Sequence, residues 1–305
     1  MTPRHAPARL ALILTEFPPS VGGMQTHAEF LAQALHAAGH AICVYTYRCD
    51  DPQLAVAASE FDRHAAYPVR RVLSRVGFWA NHRLLLDALR RSEVALVYAS
   101  NVYYGLLGVD LGVPVICRSV GNDVQRPWIA WPWRLGSRVV SHPALEQRLH
   151  QWYRRWNAPE WLESAFRRQR HALVQRSARA NRAILANSGY TRELLNQVGV
   201  DRQQVQVLAG GVDTRRFAPC ARTRHALRSE WGIAPDTPVL LTVCRLVAKK
   251  GIDFLLAQVA ALRQIAPRLC VIVVGDGKER RRCEGQVVAA GVSDARQPGE
   301  SSSRE

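Results

Sequence analysis

Leu240-Leu241-Thr242-Val243-Cys244-Arg245-Leu246-Val247-Ala248-Lys249-Lys250-Gly251 decides the fold. The run opens apolar and β-rich over strand length, as a strand buried in a parallel sheet does. It then becomes a short loop bearing Arg245 and Lys250, and Gly251-Ile252-Asp253 starts an amphipathic helix. A strand, a basic loop and a helix N-terminus in that order form an anion site, where free backbone N–H groups, the helix dipole and two cations converge. Such a pair suits a diphosphate better than a lone carboxylate, because Arg grips oxygens bidentately and Lys acts as a point charge. The competing reading is a βα turn with solvated basic residues.

Downstream, the helix is expected over 252–265 and a strand over 269–274, running into Gly275-Asp276-Gly277 and a helix over 279–290. This is no dinucleotide fingerprint, because Arg280 stands where a third glycine would be needed. Upstream, residues 9–15 read as a first buried strand, stopped by Pro18 and Pro19. Gly22 and Gly23 permit a tight backbone course before a helix over 26–38 and a strand over 41–47. The result is a right-handed βαβ unit whose loop lies at the carboxyl end of the first strand, where open α/β sheets bind ligands. Alternation continues with strands over 69–73, 94–100 and 114–120, a helix over 78–91 and a short helical stretch after Tyr103. The last of these strands ends in Ser119-Val120-Gly121-Asn122-Asp123, polar groups that either meet a ligand or cap the next segment. A strand over 183–186, a helix over 190–198 and a strand over 205–208 complete a first domain near residue 210.

Three stretches carry a resemblance. Arg-Leu-x-x-x-Lys-Gly-x-Asp-x-Leu-Leu from Arg245 resembles the signature opening the second domain of family 4 glycosyltransferases, which have the GT-B fold. Phe17-Pro18-Pro19-Ser20-Val21-Gly22-Gly23 is similar to that family's N-terminal glycine loop. Asn187-Ser188-Gly189-Tyr190-Thr191, with Gly211-Val212-Asp213 after it, resembles the segment leading between the domains. The resemblance implies an α/β, GT-B-type pair of Rossmann-like domains: 1–210 on the acceptor side, a linker over 211–238, and a partial donor-binding domain over 239–292. It implies transfer of a hexosyl group, with retained configuration, from a nucleotide diphosphate sugar to a lipid-linked or polysaccharide acceptor. No metal or cofactor is implied beyond the donor itself. Arg245 and Lys250 would stabilise the leaving diphosphate, while Gly22, Gly23, Asn122 and Asp123 would line the substrate cleft.

The chain also departs from the pattern. Val120 stands where family members often carry a histidine, and valine neither moves a proton nor hydrogen-bonds a hydroxyl. Gly210 replaces the asparagine common before Gly-Val-Asp. From residue 292 onward the sequence has no apolar period, and 293–305 is expected to be a disordered tail. The family's paired glutamates, which address the donor sugar and ribose, have no match. The second domain is therefore expected to be incomplete, with little or no transfer by these 305 residues; the alternative is a catalytically inactive, membrane-surface or partner-binding remnant.

Composition bounds the partners. Of 41 basic residues only Lys249, Lys250 and Lys278 are lysine, leaving 38 arginines, and the formal net charge is +16. Such a balance favours sugar nucleotides, acidic lipid headgroups or nucleic acid. No nucleic-acid motif accompanies it, which makes nucleic acid the weakest of the three. Six of eight tryptophans lie at 128, 131, 133, 152, 156 and 161. Leu149, Trp152 and Trp156 share one helical face, and Leu162, Phe166 and Leu173 repeat the pattern among Arg167, Arg168 and Arg170. Basic amphipathic helices with tryptophan suit an anionic membrane surface, although a helix packed on its own domain reads the same way. Seven cysteines without a C-x-x-C pair point to a reducing compartment. With no apolar run near the ~20 residues that span a bilayer, the expected location is the cytoplasm or the inner face of the membrane.

Overall fold

The computed structural model describes residues 7–125, 129, 131–134, 142–156 and 159–289. Trp128 and the expected tail over 293–305 lie outside them. The chain divides into two compact units, Met1–Gly211 and Val212–Glu305.

Unit 1 is one parallel sheet between helices. In chain order it runs β1 (Arg9–Ile13), α1 (Gly23–Ala37), β2 (Ala41–Tyr47), α2 (Pro52–His64), β3 (Val69–Leu73), α3 (Phe78–Arg90), β4 (Leu96–Ala99), α4 (Leu106–Leu111) and β5 (Val115–Ser119). It continues with α5 (Asn122–Gln125), α6 (Pro143–Arg155), α7 (Glu160–Arg179), β6 (Ala183–Ala186), α8 (Gly189–Gln197) and β7 (Val205–Val207). The spatial order is β3-β2-β1-β4-β5-β6-β7, with every neighbouring pair parallel. The chain steps outward from β1 to β3 and returns through β4 to the other side of β1, so the topological switch point lies between β1 and β4.

The period-two pleat of β1 builds two cores at once. Leu10, Leu12 and Leu14 face Ala28 and Ala32 of α1 on one side of the sheet. Ala11 and Ile13 join Leu85 and Leu89 of α3 and Leu173 and Ala178 of α7 on the other. Leu12, Ile13 and Leu85 are wholly buried, and cutting such a side chain to alanine costs about 2–5 kcal/mol.

Several elements differ from the sequence reading. The α2 helix was not anticipated; the Asp51 carboxylate starts it by accepting Gln53 N–H and Leu54 N–H at 2.9 and 3.2 Å, with Pro52 in its first turn. α1 begins at Gly23, three residues early, and so takes in the second glycine of the loop. The expected stripe Leu149/Trp152/Trp156 is not one buried face. α6 turns Glu146, Leu149 and Tyr153 inward, whereas Trp152 and Trp156 are exposed and stack at 5.0 Å between ring centres. The i, i+3, i+7 positions 146, 149 and 153 meet α3 and α7, which leaves their neighbours outside. On α7 the expected face does turn inward: Leu162 and Phe166 pack with Trp131 and Trp133, and Leu173 enters the main core.

Unit 2 contains α9 (Ala221–Glu230), β8 (Val239–Val243), α10 (Ile252–Ile265), β9 (Cys270–Val274) and α11 (Arg280–Ala289). β8 and β9 pair in parallel, and Leu246, Ile252 and Cys283 form a small core. Leu241, Val243, Phe254 and Ile265 are exposed. All seven cysteines are free thiols. No helix among the described residues is long and apolar enough to cross a membrane.

Candidate functional site

In unit 1 the candidate residues gather at the carboxyl edge of the sheet. The loop leaving β1 is tied down on several sides. Thr15 N–H donates to Ser100 Oγ at 3.2 Å, and the two hydroxyls meet at 2.9 Å, which joins β1 to β4 across the switch point. Arg71 grips both Asp62 carboxylate oxygens at 2.8 Å and donates to the Pro18 carbonyl at 2.6 Å. Glu16 accepts from Gln25 Nε2 at 3.1 Å and pairs with Arg75 at 2.9 Å. Gly22 then caps α1, accepting Thr26 N–H at 3.0 Å. The space over Gly23 is open, with no atom within 4 Å of where a side chain would begin. First-turn N–H groups without intrahelical acceptors border that space.

Asn122 and Asp123 follow β5 at the same edge. Asn122 is exposed. Asp123 is buried: its Oδ1 accepts Ser119 Oγ–H at 2.8 Å and its Oδ2 accepts Val102 N–H at 3.0 Å. Burial raises its pKa against the pull of those donors. The carboxylate therefore links the end of β5 to the segment after β4. The Asn187–Thr191 segment is a helix cap of the same kind, Ser188 Oγ accepting Thr191 N–H at 3.2 Å.

Two basic side chains near this edge escaped the sequence reading. His27 on α1 is half-buried beside Arg118 of β5, and burial, then the guanidinium, lower its pKa. The sequence signal was Arg118 itself, a charge inside an otherwise apolar strand.

In unit 2, Arg245 and Lys250 lie on the loop between β8 and α10. Both are exposed, and neither has a side-chain partner among the described residues. The loop is braced from behind. Cys244 N–H donates to the Val274 carbonyl at 3.0 Å, Leu246 N–H to Asp276 at 2.8 Å, and Glu279 N–H returns to Leu246 at 3.1 Å. Gly275 and Gly277, with φ of 148° and 154°, press their backbone against Cys244 and Leu246 so closely that a methyl at either would strike a carbonyl oxygen. The sequence Gly-Asp-Gly thus holds the Arg245 loop in place and leaves its cations unpaired. No cluster that could hold a metal occurs among the described residues.

Solved structures share this architecture. The Anabaena protein Alr3699/HepE in complex with UDP-glucose superposes with a TM-score of 0.61 at 15% identity, covering 94% of this chain and 67% of that one. The catalytic domain of starch synthase IV from Arabidopsis thaliana, bound to ADP and acarbose, gives 0.56 at 12% identity, covering 95% and 73%. These likenesses define a GT-B-type α/β fold.

The family model described as Glycosyltransferase Family 4 matches residues 21–216, and that of Glycosyl transferases group 1 matches 223–297. The chain belongs to Glycosyltransferase Family 4. The GDP-mannose-dependent alpha-(1-6)-phosphatidylinositol monomannoside mannosyltransferase of Mycobacterium tuberculosis is 24% identical over 274 residues, 88% of this chain and 61% of that protein. The D-inositol 3-phosphate glycosyltransferase of Kineococcus radiotolerans is 37% identical over 100 residues, 32% of this chain and 23% of that protein. The chain thus spans less than two thirds of the length of these relatives.

Proposed function

We propose that the chain acts in the transfer of a hexosyl group from a nucleotide diphosphate sugar to a lipid-linked or polysaccharide acceptor. The observation that carries this reading is the unpaired Arg245 and Lys250 on a braced loop ahead of the α10 N-terminus. Charge grows on the diphosphate as the glycosidic bond breaks, and fixed cations at that point favour the transition state over the ground state. Each charge-assisted contact is worth about 1.5–3 kcal/mol, so either loss slows transfer by about one to two decades. In unit 1, the open backbone at Gly23, which follows the Gly22 cap, and the exposed Asn122 receive substrate, and Asp123 holds the strand end that presents Asn122.

The names of the relatives support a nucleotide-linked donor and a phosphoinositide-type acceptor, and the exposed Trp152, Trp156 and Trp161 support work at an anionic membrane surface. Those tryptophans also favour the second reading, a membrane-surface protein without transfer.

Radiolabelled transfer from UDP- and GDP-sugars to membrane extract separates the two readings, alongside calorimetry with UDP and GDP. Nucleotide binding that falls about tenfold or more in Arg245→Ala supports the donor site. Vesicle binding without any nucleotide affinity selects the second reading.

A further inference from the structure

Unit 1 contains a cavity of about 650 Å3 between α3, α4, α7 and residues 132–134. None of the carboxyl-edge loops described above lines it. Its volume lies within the roughly 300–1,000 Å3 of small-molecule sites.

Its charge is one-sided. Four arginines face two aspartates around the rim, and three of them, Arg90, Arg134 and Arg176, have no ion-pair partner among the described residues. They come from α3, the 132–134 segment and α7, so their convergence is a property of the tertiary fold and not of one helix face. Trp79 and Trp133 wall the cavity with apolar surface, and the Arg134 guanidinium lies 6.0 Å from the Trp79 ring centre. Low-dielectric walls strengthen the field of the arginines inside.

Two groups at this cavity lack a partner. His82 is 5% exposed, its Nε2 lies 2.7 Å from Asp110 Oδ2, and its Nδ1 is buried without a hydrogen bond. Burial holds the imidazole neutral despite Asp110. Nε2–H therefore donates to the carboxylate, and Nδ1 is an acceptor that lacks a donor. Trp79 Nε1 is the reverse, a buried donor that lacks an acceptor.

We propose that this cavity binds a phosphorylated polyol. The phosphate oxygens lie on Arg90, Arg134 and Arg176, the carbon–hydrogen faces lie against Trp79 and Trp133, and a hydroxyl donates to the half-exposed Asp110 carboxylate. Planar guanidinium forks suit phosphate oxygens, and the Asp87 and Asp110 carboxylates in the same lining accept hydroxyls but repel a bare phosphate. The same chemistry is found in a soluble sugar phosphate and in the headgroup of an anionic lipid. The proposal does not depend on sugar transfer, so loss of the Arg245 site leaves it standing.

The test is calorimetry of the full chain with glycerol phosphate, glucose phosphate and free glucose, together with cosedimentation on phosphatidylcholine vesicles with and without phosphatidylglycerol. The variant Arg90→Gln/Arg134→Gln/Arg176→Gln replaces exposed side chains without an ion pair, and its melting curve checks the fold; if that curve shifts, the single variants Arg90→Gln and Arg176→Gln replace it. Wild type is expected to bind the phosphates but not glucose, and the variant to lose about tenfold or more of that affinity. Binding to soluble phosphates assigns a soluble ligand, whereas binding only to phosphatidylglycerol vesicles, lost in the variant, assigns a lipid headgroup. Absence of binding to both probes overturns the proposal, as does affinity that the variant retains in full.

Discussion

Glu146 Oε1 accepts the Ala80 N–H at 2.8 Å, across 66 positions of sequence. A carboxylate on α6 thereby caps the first turn of α3, whose own cap residue, Gly77, has no side chain to do so. Burial nevertheless raises the Glu146 pKa to about 7, against the stabilising pull of the Ala80, Trp79 and Phe78 N–H groups. In the unfolded chain the proton leaves near the ordinary carboxyl value of 4.5. Between these two values the folded state holds more protons, so stability falls as pH rises and levels off above about 7. The full loss is on the order of 3 kcal/mol. Urea unfolding at about pH 5 and about pH 8 should show it, and Glu146→Gln, neutral at both, should flatten the difference. Parallel curves for the two proteins would remove Glu146 as the cause.

Asp123 should matter to the fold before it matters to any ligand. Asp123→Ala leaves Val102 N–H and Ser119 Oγ–H buried without acceptors. The expected loss is about 2–4 kcal/mol of stability, read from denaturant midpoints. Asn122→Ala, at an exposed position, should leave the midpoint unchanged.

Gly275→Ala should dislodge the Arg245 loop, because the new methyl meets the Cys244 carbonyl oxygen. Gly285→Ala, with open space around it, is the matched control. Titration with UDP or GDP should show weaker binding in the first variant only. Equal affinities would separate the loop's brace from the anion site.

Replacing Trp152, Trp156 and Trp161 by serine tests the outer face of α6 and α7. All three are exposed, so thermal stability should change little. Partitioning onto phosphatidylglycerol vesicles should fall about tenfold or more, and high salt should weaken wild-type binding as well.

The parts legible in the sequence were those set by local pattern. β2, β6 and α10 have the expected bounds, because near-continuous apolar runs and a 3.6-residue period are properties of neighbouring residues, and β3 keeps its bounds although Arg70 and Arg71 interrupt it. The α2 helix went unread although Asp51-Pro52 is a start signal, because its mostly small and polar residues obscured it. What could not be read is which face of α6 packs inward, since Leu149 belongs to both candidate stripes and only α3 and α7 choose between them. The Arg245 loop was visible as a motif, but the brace behind it joins segments about thirty residues apart. Likewise Asp123 read equally as ligand contact or cap until its two donors were in place, and His82 gave no signal until the fold set Asp110 beside it.

The stacked indoles of Trp152 and Trp156 straddle the last turn of α6, with their planes 25° apart. Chromophores that close share their excitation, and this pair is stacked and exposed where the neighbouring Trp131 and Trp133 meet edge to face with Trp131 buried, so the two pairs carry distinct optical signatures. Unwinding that turn swings the rings apart and abolishes the coupled signal while the core emission persists. The protein thus contains an unlabelled gauge of its own helix end, and the arrival of any partner on that face can be followed as a change of colour and ellipticity in real time.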